Sequence, residues 1–184
     1  MGDQANMYKR IILGFLAILW IASTVLTSCG GDNVRLEKAL NNFSKLVEEK
    51  NLGNLTLTIY FINPYILTRV ALSVDDLINF RDVQIIIING SELEEHVDLL
   101  WQINKGNTIP VKNKSHVNAR IYYVFEVAEE GKILDVSMWG GGRNIFVNGV
   151  EVKENSVFYD IIMPFLPAEI GRLLEAYLGD APRV

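Results

Sequence analysis

Hydrophobic and polar residues alternate along several stretches of the chain. Odd-numbered positions from Leu55 to Phe61 are all apolar, and the same period of two recurs over residues 119–127 and 134–138. This period is typical of strands with one buried face. Residues 83–88 are apolar except for Gln84, which predicts a strand covered on both faces. Residues 66–72 are a further strand candidate.

Segments with the spacing of amphipathic helices lie between these predicted strands. Leu36, Leu40, Phe43 and Val47 recur at i, i+4, i+7 and i+11, which predicts an amphipathic helix over residues 34–50. Capping residues and apolar spacing predict further helices over residues 73–78, 91–101, 156–164 and 170–178. Residues 104–118 are polar and predict a long loop.

Turn residues indicate how the strands are connected. The Glu129-Glu130-Gly131 segment joins two predicted strands, and Asn148-Gly149 lies between two short β-prone runs. An Asn-Gly pair in that position is the strongest local signal of a hairpin. The fold class expected is therefore α+β, an antiparallel β-sheet with helices packed on one face.

The first residues have the pattern of an export signal. Residues 1–10 are polar and end in Lys9-Arg10, and residues 11–25 are almost entirely apolar. A charged segment followed by an apolar one is typical of a secretory signal. Leu26-Thr27-Ser28-Cys29 stands where the apolar run ends, and Cys29 is the only cysteine in the chain.

These four residues resemble the lipobox of bacterial lipoprotein precursors. The resemblance implies a lipoprotein signal peptide over residues 1–28, cleavage before Cys29, and a lipid such as palmitate on Cys29. Residues 29–33 would then be a lipidated cysteine and short linker, and residues 34–184 a single extracytoplasmic domain. An uncleaved transmembrane helix over residues 11–28 is the alternative, since about 18 residues is the lower limit for spanning a bilayer. Both interpretations predict a protein tethered at the extracytoplasmic face of the cell membrane.

Charge and cysteine content restrict the partners. The chain carries 17 basic and 22 acidic residues, a formal net charge of −5. Nucleic acid is therefore not an expected partner. A lone cysteine cannot form an internal disulfide. We expect partners in the membrane, through the anchor at Cys29, and in an envelope protein or cell-wall component.

Few residues suggest catalysis. Neither His96 nor His116 has a second histidine or cysteine at metal-ligand spacing, so no metal or cofactor is expected. The acidic residues between Glu92 and Asp98 suit the first turn of a helix. Asp135 and Asp160 could act as paired carboxylates in glycoside hydrolysis, but strand alternation places Asp135 on the solvent side.

Two aromatic features suggest contact surfaces. Trp139 and Arg143 flank a triple glycine, and these residue types are enriched at binding hot spots. Tyr122 and Tyr123 are adjacent in a strand, so one is expected in the core and the other in a surface patch.

Two segments also resemble small lipoprotein domains of low-GC Gram-positive bacteria. They are the Ile-Phe-Val-Asn-Gly-Val-Glu-Val run at 145–152 and the Met-Pro-Phe-Leu-Pro run at 163–167. The resemblance implies no activity. We expect a non-enzymatic binding or scaffolding module of the cell envelope, with a small cell-wall hydrolase as the alternative.

Overall fold

A computed structural model describes residues 31–111, 115–138 and 144–180. The chain divides into two compact units, Met1–Arg35 and Leu36–Val184. The described part of the first unit is the beginning of helix α1. The second unit contains every other element described below. The described helices include none that is long and apolar enough to cross a membrane.

Within residues 31–180, as far as they are described, six strands form a single antiparallel sheet, the sheet type that the sequence predicts. Their order across the sheet is β2-β1-β3-β4-β5-β6. The strands are β1 (Leu55–Phe61), β2 (Gln84–Asn89), β3 (Ile121–Val127), β4 (Gly131–Met138), β5 (Ile145–Val147) and β6 (Val150–Val152). Strands β1 and β3 lie towards the middle, and β2 and β6 are the two edges.

Most helices pack against one side of the sheet, which we call the first face. The helices are α1 (Gly31–Glu48), α2 (Val74–Ile78), α3 (Gly90–Glu94), α4 (Val97–Leu100), α5 (Val157–Asp160) and α6 (Ala168–Asp180), with a 3₁₀ turn at Met163–Phe165. Leu36, Leu40, Phe43 and Val47 of α1 are buried, as their spacing predicts. They join the odd-numbered residues of β1 and β3 in one apolar core. The predicted α+β class is confirmed.

The opposite side of the sheet, the second face, is partly covered as well. Tyr122 and Val124 of β3 pack there with Leu77 of α2 and with Ile62 and Leu72, which flank an irregular segment. Ser73 caps α2 as predicted, because its hydroxyl accepts the backbone N–H of Asp76 at 3.1 Å. Helix α2 therefore lies on the second face, although the sequence predicted helices on one face only.

The two predicted turns are confirmed. Gly131 adopts a φ of +73° between β3 and β4, and Asn148 and Gly149 have φ of 48° and 75° between β5 and β6. Positive φ at both central residues is the type I′ geometry that suits the twist of a two-residue hairpin.

The prediction that residues 83–88 are covered on both faces is wrong. Among the described residues β2 pairs only with β1, and the side chains of Ile85 and Ile87 are 54% and 63% exposed. Their side chains point to the second face, whereas Ile88 is buried in the first-face core. A run of four isoleucines predicts a strand, but whether a second layer packs over each face depends on residues distant in sequence.

Residues 91–101 form two short helices rather than one. Helix α3 begins after Asn89, not Ser91, because the carboxylate of Glu92 accepts the N–H of Asn89 at 3.1 Å. His96 lies between α3 and α4 with a φ of −119°, outside helical geometry. Gly90 packs against the backbone of Leu52, which fixes where α3 begins.

Residues 66–72 form no strand. Leu67 and Val70 are 97% and 71% exposed, and the segment is held instead by polar contacts. Arg120 is buried, and its guanidinium donates to the hydroxyl of Thr68 at 2.9 Å. The helix predicted over 156–164 is divided into α5 and the 3₁₀ turn, which contains Pro164, and α6 continues through Gly179.

The β6 edge is closed by the loop before β3. The N–H of Val111 donates to the carbonyl of Glu151 at 3.0 Å, and the N–H of Lys153 donates to the carbonyl of Ile109 at 2.7 Å. Pro110 forms an isolated bridge with Val152. Because proline has no N–H, the outer side of this segment is a poor template for another strand.

We predict that Gly90→Ala destabilises the chain by about 1–3 kcal/mol through overpacking. A Cβ at Gly90 would lie 1.9 Å from the carbonyl oxygen of Leu52, which is backbone and cannot rotate away. Gly53→Ala is the matched control, because a Cβ there meets nothing within 4 Å. Urea unfolding measures both variants, and equal midpoints would contradict this account of α3.

Candidate functional site

Three of the residues predicted to be functional lie outside the described part of the chain. They are Cys29, the predicted lipidation site, and Trp139 and Arg143, the predicted contact surface. The signal segment of residues 1–28 also lies outside it. These remain predictions from the sequence.

Neither histidine lies in a metal cluster. His96 packs edge-to-face on Phe165 with ring centroids 5.0 Å apart, and His116 is exposed in the loop before β3. Across the described residues, no group of three or more histidine, cysteine, aspartate or glutamate side chains is placed to hold a metal ion.

The two carboxylates considered for hydrolysis are not brought together. Asp160 is exposed on α5, and Phe158 of the same helix packs in the first-face core. Asp135 lies on β4 between Leu134 and Val136, which face that core, so its side chain is on the second face. It is only 9% exposed, and the prediction that it faces solvent is wrong. The reason is that α2 and its flanking segments cover the second face there.

Asp135 lies instead in a cavity on the second face, which we call the Asp135 cavity. Its volume is about 380 Å³. Strands β3 and β4 form its floor, and α2 and the β5–β6 turn contribute to its walls. The lining residues are Val74, Asp75, Ile78, Val117, Tyr122, Lys132, Asp135, Ser137, Asn148 and Gly149.

A β-bulge in β4 places a cation beside Asp135. Phe125 is opposite Leu134, but Glu126 is opposite Lys132, so Ile133 is the extra residue. Residues three apart in a regular strand point to opposite faces, and the bulge removes that difference. The ammonium of Lys132 forms an ion pair with Oδ2 of Asp135.

The β5–β6 turn fixes the backbone of Asp135. The N–H of Asp135 donates to Oδ1 of Asn148 at 2.7 Å, and its carbonyl accepts the N–H of Asn148 at 2.9 Å. Asn148 therefore has two roles. It adopts the positive φ that the hairpin requires, and it attaches the hairpin to β4 at the position of the carboxylate.

Among the described residues, polar atoms of β4 that line the cavity have unused hydrogen-bonding capacity. Oδ2 of Asp135 receives Lys132 and the hydroxyl of Tyr122, the latter at 3.4 Å. Among the described residues, no hydrogen bond engages Oδ1 of Asp135 or the hydroxyl of Ser137, which is 5% exposed. Both atoms are open to the cavity, so they can bind solvent or the polar groups of a ligand there.

Tyr122 is held in its neutral form. Burial raises its pKa well above the usual range, and the charge of Asp135 and the hydrogen bond to that carboxylate act in the same direction. Tyr122 is therefore a hydrogen-bond donor in the cavity at neutral pH. The expectation that one of the two tyrosines is in the core is confirmed by Tyr123, which is fully buried. Tyr122 lines a cavity rather than a surface patch.

A second concave region lies along the free edge of β2, and we call it the edge groove. It has a volume of about 300 Å³. Its lining residues are Ile86, Ile87, Ile88, Glu92, Glu95, His96, Pro164 and Phe165. The carboxylate of Glu92 is used for capping α3, as the helix-terminus interpretation of this acidic segment predicts.

Sequence reasoning missed Lys132, Ser137 and Asn148 as cavity residues. One signal was present, because Asp135 and Ser137 are polar residues on the same face of an otherwise apolar strand. The bulge that brings in Lys132 has no such signal.

Comparison of the chain with protein-family models, with curated proteins and with solved structures found no significant match.

We predict that the free energy of unfolding falls as the pH rises above about 10, the ordinary pKa of tyrosine. Burial raises the pKa of both Tyr122 and Tyr123 in the folded chain. Above pH 10 the unfolded chain loses protons that these two phenols keep when folded, so high pH favours unfolding.

Tyr122→Phe tests this prediction, because it removes one of the two titrating groups. Above pH 10, the slope of the free energy of unfolding against pH should become shallower by about 1.4 kcal/mol per pH unit. Loss of the hydrogen bond to Asp135 alone would shift the whole curve and leave its slope unchanged. Urea unfolding between about pH 9 and pH 11.5 measures the slope, and identical slopes would contradict the burial of Tyr122.

Proposed function

We propose that this protein is a non-enzymatic binding module, tethered to the extracytoplasmic face of the cell membrane, that holds a neutral polyhydroxylated ligand in the Asp135 cavity. The observation that carries the proposal is the pair of unengaged polar atoms, Oδ1 of Asp135 and the hydroxyl of Ser137. A carboxylate oxygen accepts a hydrogen bond, and a serine hydroxyl donates and accepts. Adjacent hydroxyl groups of a sugar match both.

The charges and apolar walls of the cavity support the same ligand class. The described lining of the cavity contains two acidic residues, Asp75 and Asp135, and one basic residue, Lys132. An anionic ligand would therefore meet an excess of negative charge. Val74, Ile78 and Val117 supply apolar surface on which the C–H face of a sugar ring can pack. A volume of about 380 Å³ lies within the usual range for small-molecule sites, roughly 300–1,000 Å³.

The tether is proposed from the sequence alone. Cys29 follows an apolar export segment and resembles the lipidated cysteine of bacterial lipoproteins. A module held at that location has glycans of the cell wall within reach, and these are the kind of ligand that the cavity fits. An envelope protein that carries sugar groups could be bound through the same cavity.

We do not propose the hydrolase alternative. Paired-carboxylate hydrolysis requires two carboxyl groups on either side of one glycosidic bond. Asp135 is on the second face, and Asp160 is on a helix that packs against the first face. Oδ2 of Asp135 is also already engaged by the ammonium of Lys132.

We predict that neutral saccharides bind the full chain and that Asp135→Asn weakens binding by about 10-fold or more. Removing a charged hydrogen-bond partner costs about 1.5–3 kcal/mol. The probes are N-acetylglucosamine and its β-1,4-linked dimer, with glucose 6-phosphate as the anionic comparison. Isothermal titration calorimetry in a detergent without a sugar headgroup measures the affinities. Ser137→Ala should weaken binding as well.

Asp160→Asn is the matched control, because it makes the same chemical change on an exposed residue outside the cavity and should leave the affinity unchanged. Equal affinity of the Asp135 and Asp160 variants would contradict the proposed site. Preferential binding of glucose 6-phosphate or of a simple amine would contradict the proposed ligand class.

The tether has a separate test. Mass spectrometry of the protein from native membranes should find a mature chain that begins at a lipid-modified Cys29, and Cys29→Ser should remain unprocessed. An unmodified chain that still begins at Met1 would contradict the lipid anchor, leaving the alternative of an uncleaved helix over residues 11–28. The cavity proposal does not depend on this outcome.

A further inference from the structure

Strand β2 is an edge strand without the usual protection. Natural proteins protect exposed edges with charged residues, prolines or bulges, because an open edge pairs readily with other strands. The sequence from Val83 to Ser91 contains no charged residue and no proline. The pairing of β2 with β1 is continuous over six residue pairs, without a bulge.

The hydrogen-bonding direction of each β2 residue follows from the neighbouring strands. The N–H of Ile62, next to the end of β1, donates to the carbonyl of Arg120 on the β3 side. In an antiparallel ladder the N–H and C=O of one residue point to the same side, and the side alternates along the strand. Odd-numbered residues of β1 therefore point towards β2, where their partners are Gln84, Ile86 and Ile88.

Ile85 and Ile87 consequently direct their N–H and C=O groups to the open edge. Asn89 is also odd-numbered and is consistent with this direction, because its N–H points away from β1 and donates to the carboxylate of Glu92. Within the described part of the chain, no hydrogen bond engages these backbone groups, and in β2 the same two residues have exposed apolar side chains. Their backbone and side chains are both available to another strand.

We infer that two copies of this chain associate through antiparallel pairing of their β2 strands, centred on Ile86. In this register Ile85 of one copy pairs with Ile87 of the other, and the reverse pair forms as well. Both pairs use the free backbone groups, which gives about four hydrogen bonds between the copies. The exposed isoleucines of both copies then lie on one face in cross-strand pairs, which stabilise a sheet.

A register centred on Ile87 fits less well. It would pair Ile85 with Asn89 of the second copy, whose N–H is already bound to Glu92. The register centred on Ile86 instead places Gln84 of one copy beside Ile88 of the other, at the edge groove. The amide of Gln84 can donate there to the carboxylates of Glu92 or Glu95, which line the groove.

Analytical ultracentrifugation of the full chain in detergent tests self-association. The interface is short, so we expect a concentration-dependent dimer of micromolar or weaker affinity. Ile87→Lys should weaken dimerisation at least about 10-fold, because it places like charges within the pairing surface. Leu67→Lys is the matched control, since Leu67 is 97% exposed but is not on β2. Circular dichroism checks that both variants remain folded.

Disulfide cross-linking in a Cys29→Ser background tests the register. In this register Ile86 of one copy lies opposite Ile86 of the other. The two form a non-hydrogen-bonded pair, in which the Cα atoms are about 4.5 Å apart. That distance lies within the range of a disulfide, so Ile86→Cys should form a linked dimer on oxidation. Ile87→Cys should not, because in this register the two Cα atoms are more than about 7 Å apart.

A monomer at all concentrations would overturn the inference. A dimer that Ile87→Lys leaves intact, or one that cross-links through position 87 instead of 86, would overturn the β2 pairing or its register. Cross-linking in cells of position 86 to a different protein, with the purified chain monomeric, would overturn self-association and assign the edge to another partner.

Discussion

Phe43 of α1 and Phe125 of β3 pack with their ring centroids 4.8 Å apart, and Tyr123 and Phe125 contact edge-to-face at 6.0 Å. All three rings are completely buried. The hydroxyl of Tyr123 donates to the carbonyl of Phe158, which ties α5 to the same point. These rings fill the space between the first face of the sheet and the helices at the centre of a larger apolar core. The cavity on the second face depends on the same strands, β3 and β4, staying in register.

Local signals were sufficient for most elements of this fold. The stripe from Leu36 to Val47 and the alternation over 55–61 and 119–127 each specify one buried face, so the pattern identifies both the element and its orientation. The Asn148-Gly149 pair specifies a turn geometry that few other residues adopt. These features were predictable because the physical cause lies within a few residues.

Features that depend on distant residues were not predictable. Whether Ile85 and Ile87 are covered is decided by which segments pack over the second face of β2, and four isoleucines in a row contain no information about that. The burial of Asp135 depends on α2, Val74–Ile78, which is far earlier in the sequence. Its pairing with Lys132 depends on a bulge that only the register of β3 against β4 reveals. The candidate site was therefore visible from the sequence only as one aspartate.

The two edges of the sheet differ in a way that limits assembly. Residues 109–111 hydrogen-bond to β6 and place a proline on its outer side, so that edge accepts no further strand, whereas β2 remains open. When β2 of a second copy is the added strand, its other side is already paired with β1, so both outer edges of the joined sheet are covered β6 edges. Growth into a fibril, the usual hazard of an apolar edge strand, then stops at the first addition.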